Sequence, residues 1–288
     1  MKFSLLIVLF FSTQVWAGFS VTTYNIRNFN KDPGAGTTNL TELTKIIQDV
    51  KSDVMGFEEI VNIKAFESLM KTALPGYFFQ LSTCGGFGQQ HLAIAYNPKV
   101  FKFINSAEDG TFSGSSTGDC GSLRPMFMVN LEHKLSHKFY VFGALHLKAG
   151  GDERAFNQRW GQYKKLSAFA ASHSSKDFIL FGDFNTTGYN IRNEDFTKFE
   201  QFLTDSKLRT MSENLGCTSY WGGSEGGAEH QPSILDHIIL QEKNAALVQE
   251  VKLGSHCAKS ACKPSTPEEL GTSYLSVSDH CPIQIKFK

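Results

Sequence analysis

Nine short apolar runs constrain this chain more than anything else in it: residues 19–26, 54–57, 77–81, 92–96, 126–131, 139–145, 178–181, 234–240 and 282–287. Several are too uniformly apolar for one face to meet water, so they must be strands covered on both sides. Helical spacing recurs less often. Leu40, Leu43, Ile46, Ile47 and Val50 share one face after Thr37-Thr38, and Phe156, Trp160, Tyr163 and Leu166 do the same between Glu153 and Ser172. Gly/Ser/Thr-rich residues 110–122 and 222–227 read as loops. Many strands with a few long helices predict an α/β layered protein in which sheet packs on sheet, and 25 phenylalanines supply a large core.

The chain opens MKFSLLIVLFFSTQVWA: a charged Lys2, an apolar stretch over 3–11 and a small-residue site at Val15-Trp16-Ala17. This pattern predicts a secretory signal peptide over residues 1–17, cut after Ala17 to leave 288 − 17 = 271 residues. The stretch is too short for a membrane span, which needs about 20 apolar residues, and no later run approaches that length. With no Pro-rich or Ser-rich linker, charge block or internal repeat, residues 18–288 are expected to form one domain. Formal charge is 28 − 28 = 0, so any grip on nucleic acid must come from locally clustered Lys and Arg.

All six cysteines follow the expected cleavage site, and an even count in an exported chain predicts disulfides. The short loop between Cys257 and Cys262 makes them the first expected pair and Cys84 with Cys120 the second. Cys217 and Cys281 remain, paired or free. No cysteine or histidine spacing suggests zinc.

The ends of the apolar runs carry the chemistry. They deliver Asn25 and Arg27, Glu58 and Glu59, His146 and Lys148, Asp183 and Asn185, Asp236 and His237, and Asp279 and His280. One such motif alone is usually a turn or a cap. Six of them describe a site assembled from many strand ends in one cleft. Alternation along "FGDFN" sends Asp183 and Asn185 to one side and Phe184 to the other. By the same rule His237 points away from Asp236. His91, His133, His137, His173, His230 and His256 read as surface or internally satisfied histidines.

In this order the segments "TTYNIRNFN", "DVMGFEEI", "LRPM", "ALHLKAG", "FGDFN", "ILDHIIL" and "SDHCPIQIKFK" resemble the endonuclease/exonuclease/phosphatase superfamily, and within it the deoxyribonuclease I-like secreted nucleases. The resemblance covers nearly the whole chain after the leader. It implies a four-layer α/β/β/α sandwich, two mixed, mostly antiparallel sheets packed face to face with helices outside. It also implies metal-assisted hydrolysis of DNA, or of RNA, to leave 5′-phosphate ends. Hard oxygen ligands suit Mg²⁺, with Mn²⁺ or Ca²⁺ as alternatives. Glu59 would be the metal ligand, with Asn25 and Asp279 completing its surroundings, partly through water. His280, oriented by Asp236, would be the general base and His146 the acid or phosphate donor, although the resemblance leaves open which histidine is which. Asp183 and Asn185 would hold the attacking water and a phosphate oxygen. Arg27, Arg124 and Lys148 would contact phosphate. The expected product is an exported or periplasmic monomer with a nucleic-acid substrate, no membrane span and no stable protein partner.

Four positions depart from the family pattern. Gln89 stands where a Glu would orient His146, so a neutral amide takes on the orienting role. Phe87 replaces a phenol that would touch phosphate. Val61 replaces an Arg that enters the minor groove. Glu58 stands where Gln is usual. Two rivals remain: a phosphodiesterase of the same fold acting on a phospholipid or inositol phosphate, like a sphingomyelinase, with Tyr220-Trp221 as its only aromatic hairpin candidate, and a non-catalytic binding homologue.

Overall fold

The computed structural model describes residues 18–31, 37–117, 119–222 and 228–288. The expected signal peptide, and all of the expected 222–227 loop except Gly222, lie outside them. Two six-stranded sheets form the centre of the molecule. The first contains β1 (Ser20–Phe29), β2 (Val54–Ile60), β3 (Phe78–Leu81), β4 (His91–Tyr96), β13 (Val248–Leu253) and β14 (Ile283–Phe287), in the order β13-β14-β1-β2-β4-β3. The second contains β5 (Phe101–Asp109), β6 (Met126–His133), β7 (Phe139–His146), β8 (Asp177–Asp183), β9 (Leu208–Thr210) and β12 (Asp236–Gln241), in the order β5-β6-β7-β8-β12-β9. A separate hairpin pairs β10 (Ser219–Trp221) with β11 (Gln231–Ser233). Each large sheet is antiparallel except for one parallel pair, β1 with β2 and β7 with β8.

The parallel pairs need long crossovers, and helices supply them. Helix α1 (Leu40–Asp49) joins β1 to β2, and α3 (Glu153–Ser172) joins β7 to β8. Helices α2 (Ile63–Ala73) and α4 (Glu194–Asp205) pack beside them. Asn39, Asn62, Asp152 and Asn193 cap the four by accepting a backbone N–H with their side chains. Four short helices, α5 (Glu242–Ala245), α6 (Ser255–Ser260), α7 (Pro267–Leu270) and α8 (Thr272–Ser276), shape the approach to the last strand.

The buried side chains fall into layers. Phe19, Val21, Ile94 and Ile283 of the first sheet meet Phe127, Phe142, Phe181 and Ile238 of the second. Outside the first sheet, α1 and α2 bury Leu43, Ile47, Phe66 and Leu69 against Ile26 and Phe57. Outside the second, α3 and α4 bury Leu166, Phe169, Phe199 and Phe202 against Leu145 and Phe178. The result is the α/β/β/α sandwich read from the sequence. Strands with both faces covered have no polar face, which is why they appear as continuous apolar runs.

His237 occupies the outer layer, as alternation required. Its ring is fully buried against Phe199 and Phe184, with Nδ1 on Thr210 Oγ1 and Nε2 on Thr186 Oγ1, each at 2.9 Å. Burial lowers it to about 3, so the folded protein keeps it neutral. The unfolded chain binds that proton near pH 6.5. Stability is therefore fully present above about pH 6.5 and falls as pH drops toward 3, by up to about 1.4 kcal/mol per pH unit. Between pH 7 and pH 4.5 the urea midpoint of a His237→Gln variant should therefore change relative to wild type in one direction, with the variant losing less as pH falls.

The disulfides correct one expectation. Cys84 pairs with Cys120 as read, but Cys217 bonds Cys262 and Cys257 bonds Cys281. Cys257 lies within the short helix α6 and Cys262 just past its end, and they serve two different partners rather than each other. Three disulfides fit an extracellular or periplasmic, oxidising compartment. Among the described residues no helix is long and apolar enough to cross a membrane.

Candidate active site

At one end of the sandwich the strands stop being regular. The β1–β2 register shifts between Asn25 and Phe29, and the β2–β4 register between Phe57 and Ile60. Arg27 (φ 41°), Asn28 (φ 45°) and Glu59 (φ 64°) take left-handed backbone there. Such residues cost roughly 1–3 kcal/mol each and persist where the surroundings over-determine them. Here they aim the Glu59 carboxylate inward: Oε2 accepts the Asn28 N–H at 2.7 Å and Oε1 accepts Asn25 Nδ2 at 3.1 Å.

The second sheet contributes the opposing groups. Gly182 has φ 132°, and a Cβ there would lie 2.0 Å from the Leu145 carbonyl oxygen, so only glycine lets β8 run this close to β7. Asp183 follows directly. Its Oδ1 accepts the Asn185 N–H at 2.8 Å. Its Oδ2 accepts Asn25 Nδ2 at 3.1 Å and lies 3.4 Å from His146 Nε2 and 3.9 Å from His280 Nε2. His146 Nε2 is also 3.7 Å from Glu59 Oε1. One carboxylate oxygen thus sits between two imidazoles and an amide that come from both sheets. Phe184 turns into the outer core beside Phe199 and His237.

His280 is held from several directions. Its Nδ1 meets Asp236 Oδ2 at 2.8 Å, and its backbone N–H donates to Ser278 Oγ, which itself donates to the Asn25 carbonyl at 2.7 Å. Ser219 bridges His280, and Thr218 Oγ1 accepts the Asp236 N–H at 3.0 Å. Thr218 and Ser278 escaped sequence reasoning, because small hydroxyl residues in loops carry no pattern of their own.

Burial opposes charge on His280, but Asp236 and Asp183 outweigh it and raise the ring well above the ordinary histidine range. His146 is pushed well below that range by burial, then by repulsion from Arg124 and His280. Burial lifts Asp183 to about 7 against the pull of His280. The two histidines therefore differ: at neutral pH the ring of His280 carries a proton and that of His146 does not.

Not every expected residue reaches the centre. Gln89 does not orient His146: its Nε2 donates to the Gly86 carbonyl at 3.1 Å, in left-handed backbone at φ 51°, and His146 Nδ1 is buried without a partner. Arg124 is partly committed to backbone, with Nε on the His146 carbonyl at 3.1 Å and Nη2 on the Leu147 carbonyl at 2.6 Å, which leaves the two N–H groups of Nη1 and one of Nη2 for phosphate. Arg27 lies at the rim, 3.9 Å from Asp279. Asp279 stands apart from the Glu59 group, and its Oδ1 accepts no hydrogen bond. Lys148 is half-buried and donates to the Ala149 carbonyl at 2.5 Å. Asn185 donates Nδ2 to the Leu147 carbonyl at 3.2 Å, and its backbone carbonyl accepts the Thr187 N–H at 2.7 Å.

Among the described residues, Glu59, His146 and Asp183 offer ligand atoms within 4.8 Å of one another, as do Asp183, Asp236 and His280. A third group, His256 with Cys257 and Cys281, cannot bind as thiolates because both sulfurs are in a disulfide. The carboxylates of Glu59 and Asp183 supply hard oxygen donors suited to a divalent cation, with the His146 ring beside them.

Behind the site lies Glu58, fully buried, with Oε1 accepting from Thr23 Oγ1 at 2.7 Å and Oε2 unpartnered. Burial raises it well above the usual carboxylate range, only partly offset by the Thr23 hydrogen bond, and Asp236 and Asp183 push it further. A protonated carboxyl is nearly isosteric with an amide, which gives a physical reason for a Gln at this position. The native state holds a proton that the unfolded chain releases near pH 4.5, so stability is lost as pH rises above that value. Glu58→Gln is therefore expected to raise the unfolding midpoint at pH 7, and by less at pH 5.

A four-layer sandwich with histidines, carboxylates and an amide gathered at one end of both sheets defines a hydrolase fold for phosphate esters. Residues 22–280 match the Endonuclease/Exonuclease/phosphatase family, and the chain belongs to it. An endonuclease/exonuclease/phosphatase family protein from Bacteroides thetaiotaomicron is 19% identical, with a TM-score of 0.64 over 94% of this chain and 97% of that one. D. rerio TDP2 complexed with single-strand DNA product is 14% identical, with a TM-score of 0.62 over 94% and 99%. A mannosyl-6-phosphatase from Bacteroides thetaiotaomicron is 20% identical, with a TM-score of 0.61 over 92% and 98%. At these identities the likeness establishes the fold. Comparison with curated proteins returns no match.

Proposed function

We propose that this chain is an exported, divalent-metal-dependent phosphodiesterase acting as a monomer on nucleic acid, DNA foremost, and leaving 5′-phosphate ends. The observation that carries the reading is Asp183 Oδ2, set between His146 and His280 and bonded to Asn25, with Asp236 behind one imidazole. Glu59, with Asn25 and more distantly Asp279, would hold Mg²⁺, or Mn²⁺ or Ca²⁺ in its place. When bound, such an ion would neutralise charge on the phosphoryl oxygens. In its neutral form His280 would take a proton from the attacking water at Nε2 while Asp236 fixes Nδ1. Asp183 and Asn185 position that water and a phosphate oxygen. His146 faces the scissile phosphate from the other side as a hydrogen-bond donor to the leaving oxygen. Arg27 and Lys148 at the rim meet flanking phosphates, and Arg124 adds its remaining N–H donors while bracing the His146 backbone. A neighbour solved with a single-strand DNA product supports a nucleic-acid substrate for this fold.

Trp221, 62% exposed on the β10–β11 hairpin, favours a second reading as a lipid phosphodiesterase. Purified protein should be incubated with supercoiled, linear and single-stranded DNA, RNA and sphingomyelin vesicles, with Mg²⁺, Mn²⁺, Ca²⁺ or chelator. Metal-dependent loss of DNA with kinase-resistant 5′ ends is expected. Intact nucleic acid beside cleaved sphingomyelin would sink the nuclease reading.

A further inference from the structure

Arg159 is the largest of the fully buried side chains, and nothing in the proposed chemistry uses it. It lies on the inner face of α3 with Ala155, Gln162 and Leu166, where apolar residues are expected. All five of its N–H donors are engaged. Nε reaches both Asp195 oxygens at 3.2 Å, and Nη2 reaches Asp195 Oδ2 at 2.9 Å. Nη1 donates to the Lys148 carbonyl at 2.5 Å and the Gly150 carbonyl at 3.1 Å, and Nη2 to Thr187 Oγ1 at 3.1 Å. Asp195, also fully buried, comes from α4 and accepts Trp160 Nε1 at 3.2 Å as well.

The placement of these acceptors matters. Lys148 and Gly150 belong to the irregular segment that leaves β7 just after His146. Thr187 follows Asn185 by two residues on the segment that leaves β8. The inner parts of the two segments already bond each other, Leu147 N–H to the Asp183 carbonyl at 2.9 Å and Asn185 Nδ2 to the Leu147 carbonyl. Among the described residues, the hydrogen bonds that link their outer parts run through the guanidinium. Beside it, Gln162 Oε1 accepts the Lys148 N–H at 2.9 Å.

We propose that Arg159, locked by Asp195, is a positioning residue: it sets the spacing between the segment bearing His146 and the segment bearing Asp183 and Asn185. This rests on the hydrolase reading above. A buried ion pair is not needed for stability as such, because apolar residues of similar volume often replace one without loss. What apolar residues cannot supply is a planar fork that meets two backbone segments and a carboxylate at once. A displacement of about 1 Å between reacting groups can cost about 100-fold in rate.

The test is the double variant Arg159→Met with Asp195→Leu, compared with wild type on plasmid DNA and for Mn²⁺ binding by electron paramagnetic resonance. Cooperative unfolding near the wild-type midpoint is expected, with kcat lower by about 10–100-fold and KM within about threefold. Mn²⁺ affinity should weaken by about tenfold, because a displaced Asp183 no longer orients Asn25 beside Glu59. A folded double variant with unchanged kcat and unchanged Mn²⁺ affinity overturns the proposal. If it does not fold, Thr187→Val removes only the bond to the β8 segment and should lower kcat several-fold at constant KM; an unchanged kcat again overturns it. Wild type that binds Mn²⁺ but cleaves no phosphodiester ends the hydrolase reading alone, and the Mn²⁺ affinities then decide the role of Arg159.

Discussion

Replacing His280 with Ala is expected to lower phosphodiester cleavage by about 100- to 10,000-fold, the usual contribution of a positioned acid–base group. The loss should appear in kcat with little change in KM, because the ring acts on the attacking water rather than on substrate binding. The fold should survive, since the backbone at this position is anchored independently through Ser278 Oγ, the Ser219 bridge and the Cys257–Cys281 disulfide. His137→Ala is the control. That exposed ring pairs with Glu132 in the β6–β7 turn, at the end of the sheet away from His146, and should leave activity unchanged. Asp236→Asn adds a signed test. Asp236 raises His280, so without its charge the ring loses its proton at lower pH. The acid limb of the pH–rate profile should move to lower pH even as the maximum falls. A wild-type-like rate in His280→Ala would remove this histidine from the chemistry.

The second large effect concerns the disulfides near that histidine. Cys257–Cys281 closes a separation of 24 residues and Cys217–Cys262 one of 45. Loop closure in the unfolded chain makes each worth about 3–4 kcal/mol. Replacing either pair with Ala should lower the thermal midpoint by about 10 °C in a chain of this size. Cys281 directly follows His280, and its sulfur accepts the Cys257 N–H at 3.1 Å. Loss of this pair should therefore also reduce activity below the unfolding transition, whereas loss of Cys84–Cys120 should mainly affect stability. Midpoints and rates of the three double-alanine variants decide it, and equal losses of activity in all three would refute the distinction.

What could be read from the sequence follows from burial. Residues 178–181 lie between two covered faces and announce themselves as an apolar run. Strand β5 stands at a sheet edge with its middle exposed, so Lys102, Asn105 and Glu108 break any pattern and the strand went unread. Helix α2 was legible in principle: Asn62 caps it, and Phe66, Leu69, Met70 and Ala73 fall at helical spacing. The site's acids, amides and imidazoles were visible because each interrupts an apolar strand end. Their supports were not. Cys262 finds Cys217 rather than nearby Cys257 because α6 turns the two sulfurs toward different neighbours, a fact of three dimensions only. Gln89 matches the family's orienting position in sequence, yet local left-handed backbone folds its amide onto Gly86. Arg159 did leave a signal, a charge on the apolar face of α3, since such a residue must have a buried partner.

The hydrogen bond from Asn25 to Asp183 joins residues 158 apart in the chain, and that from Ser278 to Asn25 joins residues 253 apart. No contiguous fragment holds a working subset of these groups. Long-range contacts of this kind form late, after the entropy of closing large loops has been met. Helix content in a refolding chain should thus recover first, with catalytic turnover lagging until the last strand, β14, closes beside β1. Enzymatic rate then becomes a stopwatch for the final step of assembly, and a chain caught partway, whatever its secondary structure, cuts nothing.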